Sequence, residues 1–325
     1  MNAVETEAFL KIFVTGGAGF IGSQLVDRLI EQGHEVMVYD NLSFGREEFI
    51  RHHLNNPRFT FVNGELLDQS TVNKSLAGHD LVCHLAANPQ AIEGTRRTRL
   101  DLEQNTLTTY NVLEGMRLND LRNIIFTSSG TVYGDIPDLE LNERYGPMLP
   151  ISLYGASKLA CEGLISAFSS LFGIRTWIFR FGNIIGPRAT HGVIHDLLRK
   201  LTQDPSTLEV LGDGDQTKPY VYIDDCLDGV LHCFENAHEQ INLFNLAPSS
   251  VTSVKNIVKT LLEKTGNQAT KVNYTGGVKG GGGWPGDVPK VKLDATKAYK
   301  LGWKPKYSSD EAVRKTIDDL LTSNH

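Results

Sequence analysis

The run Thr15-Gly16-Gly17-Ala18-Gly19-Phe20-Ile21-Gly22 constrains this chain more than any other feature. It follows an apolar, strand-like stretch at residues 10–15 and leads into the helical pattern Ser23-Gln24-Leu25-Val26-Asp27-Arg28-Leu29. Strand, glycine-rich turn and helix thus arrive in order. Glycine lets the backbone turn tightly and approach a ligand closely, and the free amides and positive dipole end of the helix favour a pyrophosphate. Gly16, Gly19 and Gly22 follow a Gly-x-x-Gly-x-x-Gly spacing rather than Gly-x-Gly-x-x-Gly. Alone this is weak, because any strand-to-helix turn can use glycine. Asp40 supplies the context. It ends the second expected strand, 18 positions beyond Gly22, near the spacing of an acid that accepts from the adenosine ribose hydroxyls. A carboxylate there repels the extra phosphate of NADP, so NAD is the expected cofactor.

Short β-rich runs alternate with helical periodicity through the first half, the pattern of a parallel sheet covered by helices. Strands are expected at 10–15, 35–39, 59–63, 81–85, 123–127 and 176–181, and amphipathic helices at 22–32, 101–118 and 154–172. After Gly186-Pro187 the rhythm loosens, with loops at Gly212-Asp-Gly-Asp and the glycine-rich segment 276–286. Two units are therefore expected: a dinucleotide domain over 1–185 and a smaller one over 186–325, part of it packing back on the first.

With 40% apolar and 22% charged residues the chain has globular composition. A formal charge of −6 with no dense Lys/Arg run argues against a nucleic-acid partner. The opening residues 1–8 are polar and acidic, and no apolar run nears the roughly 20 residues of a membrane helix. A cytoplasmic protein is expected. Cys83, Cys161, Cys226 and Cys233 form no CxxC pair, and the His/Cys spacings match no zinc site. The thiols are expected to be reduced and buried, and no metal is expected.

Tyr154-Gly-Ala-Ser-Lys158 opens a helical stretch in which i and i+4 side chains share a face. Ionising a free phenol at pH 7 costs roughly 4 kcal/mol. A cation about 4 Å away at an effective dielectric near 20 contributes energy of the same order. Lys158, helped by an oxidised nicotinamide, could thus make Tyr154 a working base. Upstream, an expected strand runs into Thr127-Ser128-Ser129-Gly130-Thr131-Val132-Tyr133-Gly134 and offers hydroxyls at the strand end where such sheets bind ligands. Ser129 is the candidate partner of the reacting oxygen.

Together, the glycine run, His84-Leu-Ala-Ala87, Ser-Ser-Gly-Thr-Val-Tyr-Gly and Tyr-x-x-x-Lys resemble the extended short-chain dehydrogenase/reductase family nearly end to end. The resemblance implies an α/β fold: a Rossmann-like, doubly wound parallel sheet with a smaller C-terminal α/β substrate-binding domain. It places Gly16, Gly19, Phe20, Ile21, Gly22, Asp40, Asn41, Ser43, Glu65, Leu66, Leu85, Ala86, Ala87, Asn105, Tyr154 and Lys158 around NAD. Arg180-Phe-Gly-Asn-Ile-Ile-Gly-Pro187, the segment from Gly212 to Asp224 and Trp284-Pro-Gly-Asp287 resemble UDP-glucose 4-epimerases, particularly archaeal-type ones. By that resemblance Asn183, Gly192 and Val193 meet the sugar nucleotide, with Lys218, Trp284 and Asp287 closing over it. Ser129 and Tyr154 face the sugar. The resemblance also implies a homodimer built on the helices at 101–118 and 154–172.

The sequence departs from that pattern at Glu65, where Asp is usual, and at Lys218 and Trp284, where many relatives carry Arg. Lysine cannot reproduce the planar fork of Arg on a diphosphate. The implied reaction is 4-epimerisation of a UDP-sugar through a 4-keto sugar, with Ser129, Tyr154 and Lys158 catalytic. UDP-glucuronate 4-epimerisation is the nearest alternative. Nucleotide-sugar dehydratases and decarboxylases resemble one another in carrying an acid just after the active-site hydroxyl, where this chain has Gly130 and Thr131. A non-catalytic NAD sensor would not need a complete Ser/Tyr/Lys set. Val291 is a candidate for setting the sugar size limit.

Overall fold

Four of the five residues of Lys11–Thr15 and all four of Leu81–His84 are buried, as expected of strands covered on both faces. The structure, a computed structural model, describes residues 9–278 and 281–323. The polar opening 1–8 and Gly280 of the glycine run lie outside the described residues. Seven strands form one parallel sheet: β1 Lys11–Thr15, β2 Glu35–Asp40, β3 Phe59–Asn63, β4 Leu81–His84, β5 Asn123–Ser129, β6 Arg175–Phe181 and β7 Ile241–Leu246. Their order is β7-β6-β5-β4-β1-β2-β3, with every neighbouring pair parallel. The order reverses between β1 and β4, which opens a crevice beyond the carboxyl ends of those strands.

Helices cover both faces. α1 (Phe20–Glu31) contributes Leu25, Val26 and Leu29 to one core cluster. On the other face, α2 (Gln69–Leu76), α3 (Thr108–Leu118) and α4 (Leu153–Phe172) bury Val72, Leu76, Val112, Met116, Cys161 and Ile165. Local chemistry sets the helix ends. The Asp68 carboxylate accepts from the amides of Ser70 and Thr71, and the Ser152 hydroxyl accepts from that of Gly155 at the start of α4. Gly173, with φ of 69°, ends α4 in the left-handed conformation.

The helix expected over 101–118 is interrupted. Leu102–Leu107 forms a π-helical turn before α3, and Asn105 within it is buried and bonded on three sides. The expected strands at 10–15, 35–39, 59–63, 81–85, 123–127 and 176–181 are all present, with no end shifted by more than two residues.

β7 was not expected. It lies beyond Gly186-Pro187 yet pairs with β6 over six positions. Its two asparagines are buried because their amides are satisfied: Asn242 donates to the Thr176 carbonyl, and Asn245 to those of Leu141 and Asp294.

The remaining elements are α5 (Val193–Gln203), α6 (Ile223–Asn236), α7 (Val254–Thr265), α8 (Thr296–Leu301), α9 (Ser309–Ser323) and short strand pairs. Thr207–Val210 pairs with Lys271–Tyr274, and Asn183–Ile185 with Tyr220–Tyr222, both parallel. Arg28 of α1 ties the two halves together by pairing with Asp224 at 3.0 Å and with Asp228, both on α6. All four cysteines are free and buried. Among the described residues no helix is long and apolar enough to cross a membrane.

Candidate active site

The turn between β1 and α1 is glycine because nothing larger fits. Gly16 has φ of 69°, and a Cβ there would lie 2.7 Å from the Ala86 backbone nitrogen. A Cβ on Gly22 would lie 2.1 Å from the Gly16 carbonyl oxygen, so the helix can start against the turn only without side chains. Gly19 caps α1 with no side-chain hydrogen bond, which leaves the first amides of the helix free for an anion.

These residues form one end of a cavity of about 420 Å³. It is lined by Gly16, Gly19, Phe20, Ile21, Gly22, Asp40, Asn41, Ser43, Leu66, Leu85, Ala86 and Ala87. Ser129, Tyr154, Lys158, Asn183, Gly192 and Val193 line it as well. The Asp40 carboxylate accepts from the amides of Ala18 (3.0 Å) and Leu42 (2.8 Å), and burial raises its pKa above the usual value. It is therefore both a turn acid and a wall of the cleft, with lone pairs left over on each oxygen.

The other end holds the reactive set. Tyr154, at the start of α4, lies beside Ser129, which favours its ionised form, while burial, the larger effect, pushes its phenol up to about 12. The hydroxyl of Ser129, at the end of β5, also accepts from the Thr131 amide and hydroxyl at 3.2 and 3.0 Å. Lys158 Nζ donates to the Thr127 carbonyl at 2.8 Å and stands 5.9 Å from the Tyr154 ring centroid. Burial lowers its ammonium to about 8, against the pull of Cys161, Glu162 and Asp101. The protein's own groups thus leave the phenol above its ordinary value, and the further lowering has to come from a bound cation.

Five expected contacts lie outside the cavity lining. Asn105 is fully engaged within the protein: its Oδ1 accepts from the Asn88 amide, and its Nδ2 donates to Asp101 and Ser157. Its amide is spent on fixing the segments that flank the cleft. Glu65 is exposed, and its carboxylate accepts from the Asn41 amide on both oxygens at 3.1 Å, so it steadies Asn41. Lys218 and Asp287 bond one another at 2.5 Å, and the second Asp287 oxygen accepts from the Gly283 amide. Trp284 belongs to the same loop. At Gly286 a Cβ would lie 3.3 Å from that of Ser152, so the 284–287 loop rests against the start of α4. Val291 packs against the cluster of Val132, Tyr133, Leu141, Ala247 and Leu293 and also lies outside the lining.

The sequence profile of the NAD dependent epimerase/dehydratase family matches residues 12–247. The chain belongs to that family. A Methanocaldococcus jannaschii protein provisionally named a UDP-glucose 4-epimerase is 33% identical over 96% of this chain and 99% of its own. A crystal structure of a UDP-galactose 4-epimerase is 37% identical with a TM-score of 0.85, covering 97% of this chain and 99% of that one. The UDP-glucuronic acid decarboxylase 1 of Arabidopsis thaliana is 32% identical over 96% of this chain and 70% of its own length.

In this family member two hydrogen-bonded groups support the cleft that residue patterns did not reveal. Thr15 Oγ1 accepts from the Ala86 amide and, because Thr109 spends its own proton on Asn105 and so takes the His84 Nε2 proton, donates to the bare Nδ1 of the neutral His84 ring at 2.7 Å. His84 Nε2 then donates to Thr109 Oγ1, which donates to the Asn105 carbonyl. Burial holds His84 neutral, with its pKa down near 3. The second group is the buried pair Arg180–Glu162, whose carboxylate also accepts from the Ser128 hydroxyl at 2.5 Å and so fixes the end of β5 beside Ser129. Thr15, His84, Ser128 and Arg180 each fall within a family motif, but no motif shows that they bond, because the bonded partners lie 18 to 71 residues apart, apart from the Thr109–Asn105 step.

Proposed function

We propose that this chain is an NAD-dependent UDP-sugar 4-epimerase of the UDP-glucose/UDP-galactose type. The observation that carries the reading is the position after Ser129. Dehydration and decarboxylation resemble epimerisation in the ketone-forming half but call on an additional acid or base, and here Gly130 is buried with Leu293 side-chain carbons 3.2 and 3.4 Å from where a Cβ would be. Thr131 is committed to Ser129. Neither can act as a carboxylate.

The cleft fits NAD. Gly16 has no room for a Cβ, the α1 amides are free of side-chain caps, and Asp40 stands at the far wall to receive the ribose hydroxyls. NAD held there would supply a hydride acceptor for the sugar C4 and a hydride donor to the opposite face of the resulting ketone, which would invert the centre. Tyr154 takes the proton from the C4 hydroxyl and gives it back. Ser129 shares a hydrogen bond with the same oxygen and aligns it. Lys158 supplies positive charge beneath the phenol.

We further assign Asn183, Gly192 and Val193 to the sugar nucleotide, and Lys218, Trp284 and Asp287 to a clasp over it whose ion pair opens on binding. The chain divides at about residue 185 into a cofactor part and a substrate part, with β7 returning to the first. Exposed Leu107, Tyr110, Leu118 and Leu171 on and beside α3 and α4 suit a homodimer through those helices, in a cytoplasmic protein without nucleic-acid or membrane partners. Incubation with UDP-glucose, UDP-glucuronate and UDP-N-acetylglucosamine, followed by NMR, tests the reading. Interconversion of UDP-glucose and UDP-galactose supports it; loss of carbon dioxide or of water from any substrate refutes it.

A further inference from the structure

Two adjacent imidazoles and one carboxylate converge on the outer side of α1, on the face of the sheet that α1 covers. Asp27 sits in α1, and His52 and His53 form the end of the 3-10 turn Arg51–His53 that follows β2. Both Nε2 atoms lie 2.8 Å from the same oxygen, Asp27 Oδ1, and the three atoms fall within 4.8 Å of one another. The other carboxylate oxygen, Oδ2, is held 2.8 Å from Arg188 Nη1. Arg188 in turn donates to the Ser23 hydroxyl at 3.2 Å, so Asp27 is fixed with one oxygen turned to the two histidines.

We propose that Asp27, His52 and His53 form a binding site for a borderline divalent metal ion of the zinc class. Zinc takes His nitrogen at about 2.0–2.1 Å and carboxylate oxygen at about 2.0–2.2 Å. A tetrahedral site with such bonds separates its ligand atoms by about 3.3 Å. The two observed 2.8 Å contacts therefore widen by about half an ångström around an entering ion, and the two Nε2 atoms, within 4.8 Å of one another, come to the same separation. Each imidazole coordinates through Nε2 with its proton on Nδ1, and a water completes the four-coordinate shell.

The surroundings suit that chemistry. The His53 side chain is only 11% exposed and is backed by the Phe59 ring at 5.5 Å, while His52 is 50% exposed and gives the ion a way in. Arg188 orients the ligating carboxylate from outside the shell, as supporting groups do in metal sites. The pattern escapes a reading of ligand spacing because the carboxylate comes from a helix 25 residues upstream of His52. Arg188 follows Pro187 in the segment that goes on to line the cleft at Ala189 and Thr190. An ion here thus fixes the partner that anchors this segment to α1.

The test uses the full chain after dialysis against EDTA, titrated with Co²⁺ and followed by visible absorption and calorimetry. The structure predicts one Co²⁺ per chain with the intense absorption of tetrahedral cobalt, displaced by Zn²⁺. His52→Ala, His53→Ala and Asp27→Asn should each remove that absorption and weaken binding by about tenfold or more. Circular dichroism confirms that the half-exposed His52 variant keeps the fold, and His52→Gln repeats the test with less loss of packing. Absence of tetrahedral absorption in the unmodified chain, or equal absorption in the folded His52 variants, overturns the proposal and leaves the cluster as a hydrogen-bonded clamp.

Discussion

Lys158→Met should slow turnover most at low pH and progressively less as pH rises. The distance from Nζ to the Tyr154 ring centroid is 5.9 Å. At an effective dielectric near 20 a charge at that distance from the ring is worth up to about 3 kcal/mol, or at most about 2 pKa units on the phenol. Methionine keeps the length and most of the volume but removes the charge, so the phenolate fraction at neutral pH should fall by up to about 100-fold. The sign of the pH dependence follows from Lys158 itself. Burial holds it near 8, so it is charged below that pH and loses its charge above it. The ratio of native to variant turnover should therefore be largest below pH 8 and shrink above it. Initial rates of UDP-sugar interconversion between about pH 6 and pH 10 measure the ratio. A ratio that does not change with pH would assign Lys158 a structural role, through its bond to the Thr127 carbonyl, and would refute the electrostatic argument.

Tyr154→Phe should keep the fold and NAD binding, measured by fluorescence titration, while turnover drops by about 10² to 10⁴; near-native turnover would remove Tyr154 from the mechanism. Asp40→Asn removes a charge worth about 1–2 kcal/mol against an added phosphate, so the NAD over NADP preference should narrow by about tenfold, and an unchanged affinity ratio would count against the ribose assignment. His84 is neutral in the fold down to about 3 but titrates near its ordinary value when unfolded, so its contribution is present above about pH 6.5 and is lost as pH falls. By pH 5 the loss is about 2 kcal/mol, and urea unfolding of His84→Gln between pH 7 and pH 5 should show a shallower decline than the native chain; parallel declines would exclude His84 as a source of acid sensitivity.

The sequence was most informative where one short stretch contains both cause and effect. The glycine turn, Asp40 and the Tyr154/Lys158 face are set by spacing along a strand or helix, and the structure brings them into one cleft. β7 was illegible because Ile-Asn-Leu-Phe-Asn-Leu places two amides in a strand, and their burial depends on partners 49 to 104 residues away in sequence. The family resemblance places Asn105 around NAD, and in the fold its side chain bonds Asn88, Asp101 and Ser157. Its three internal bonds are visible only once α4 and the 85–90 segment are in place. The Lys218–Asp287 pair joins residues 69 positions apart, beyond the reach of any periodicity.

Isotope tracing tests the central claim most directly. Incubated with UDP-glucose deuterated at C4, with unlabelled NAD in excess, the protein should yield UDP-galactose that retains the deuterium at C4, because the same hydride leaves and returns within one closed cleft. Inversion with loss of the label to solvent or to the free cofactor pool, or no inversion at all, would contradict the account.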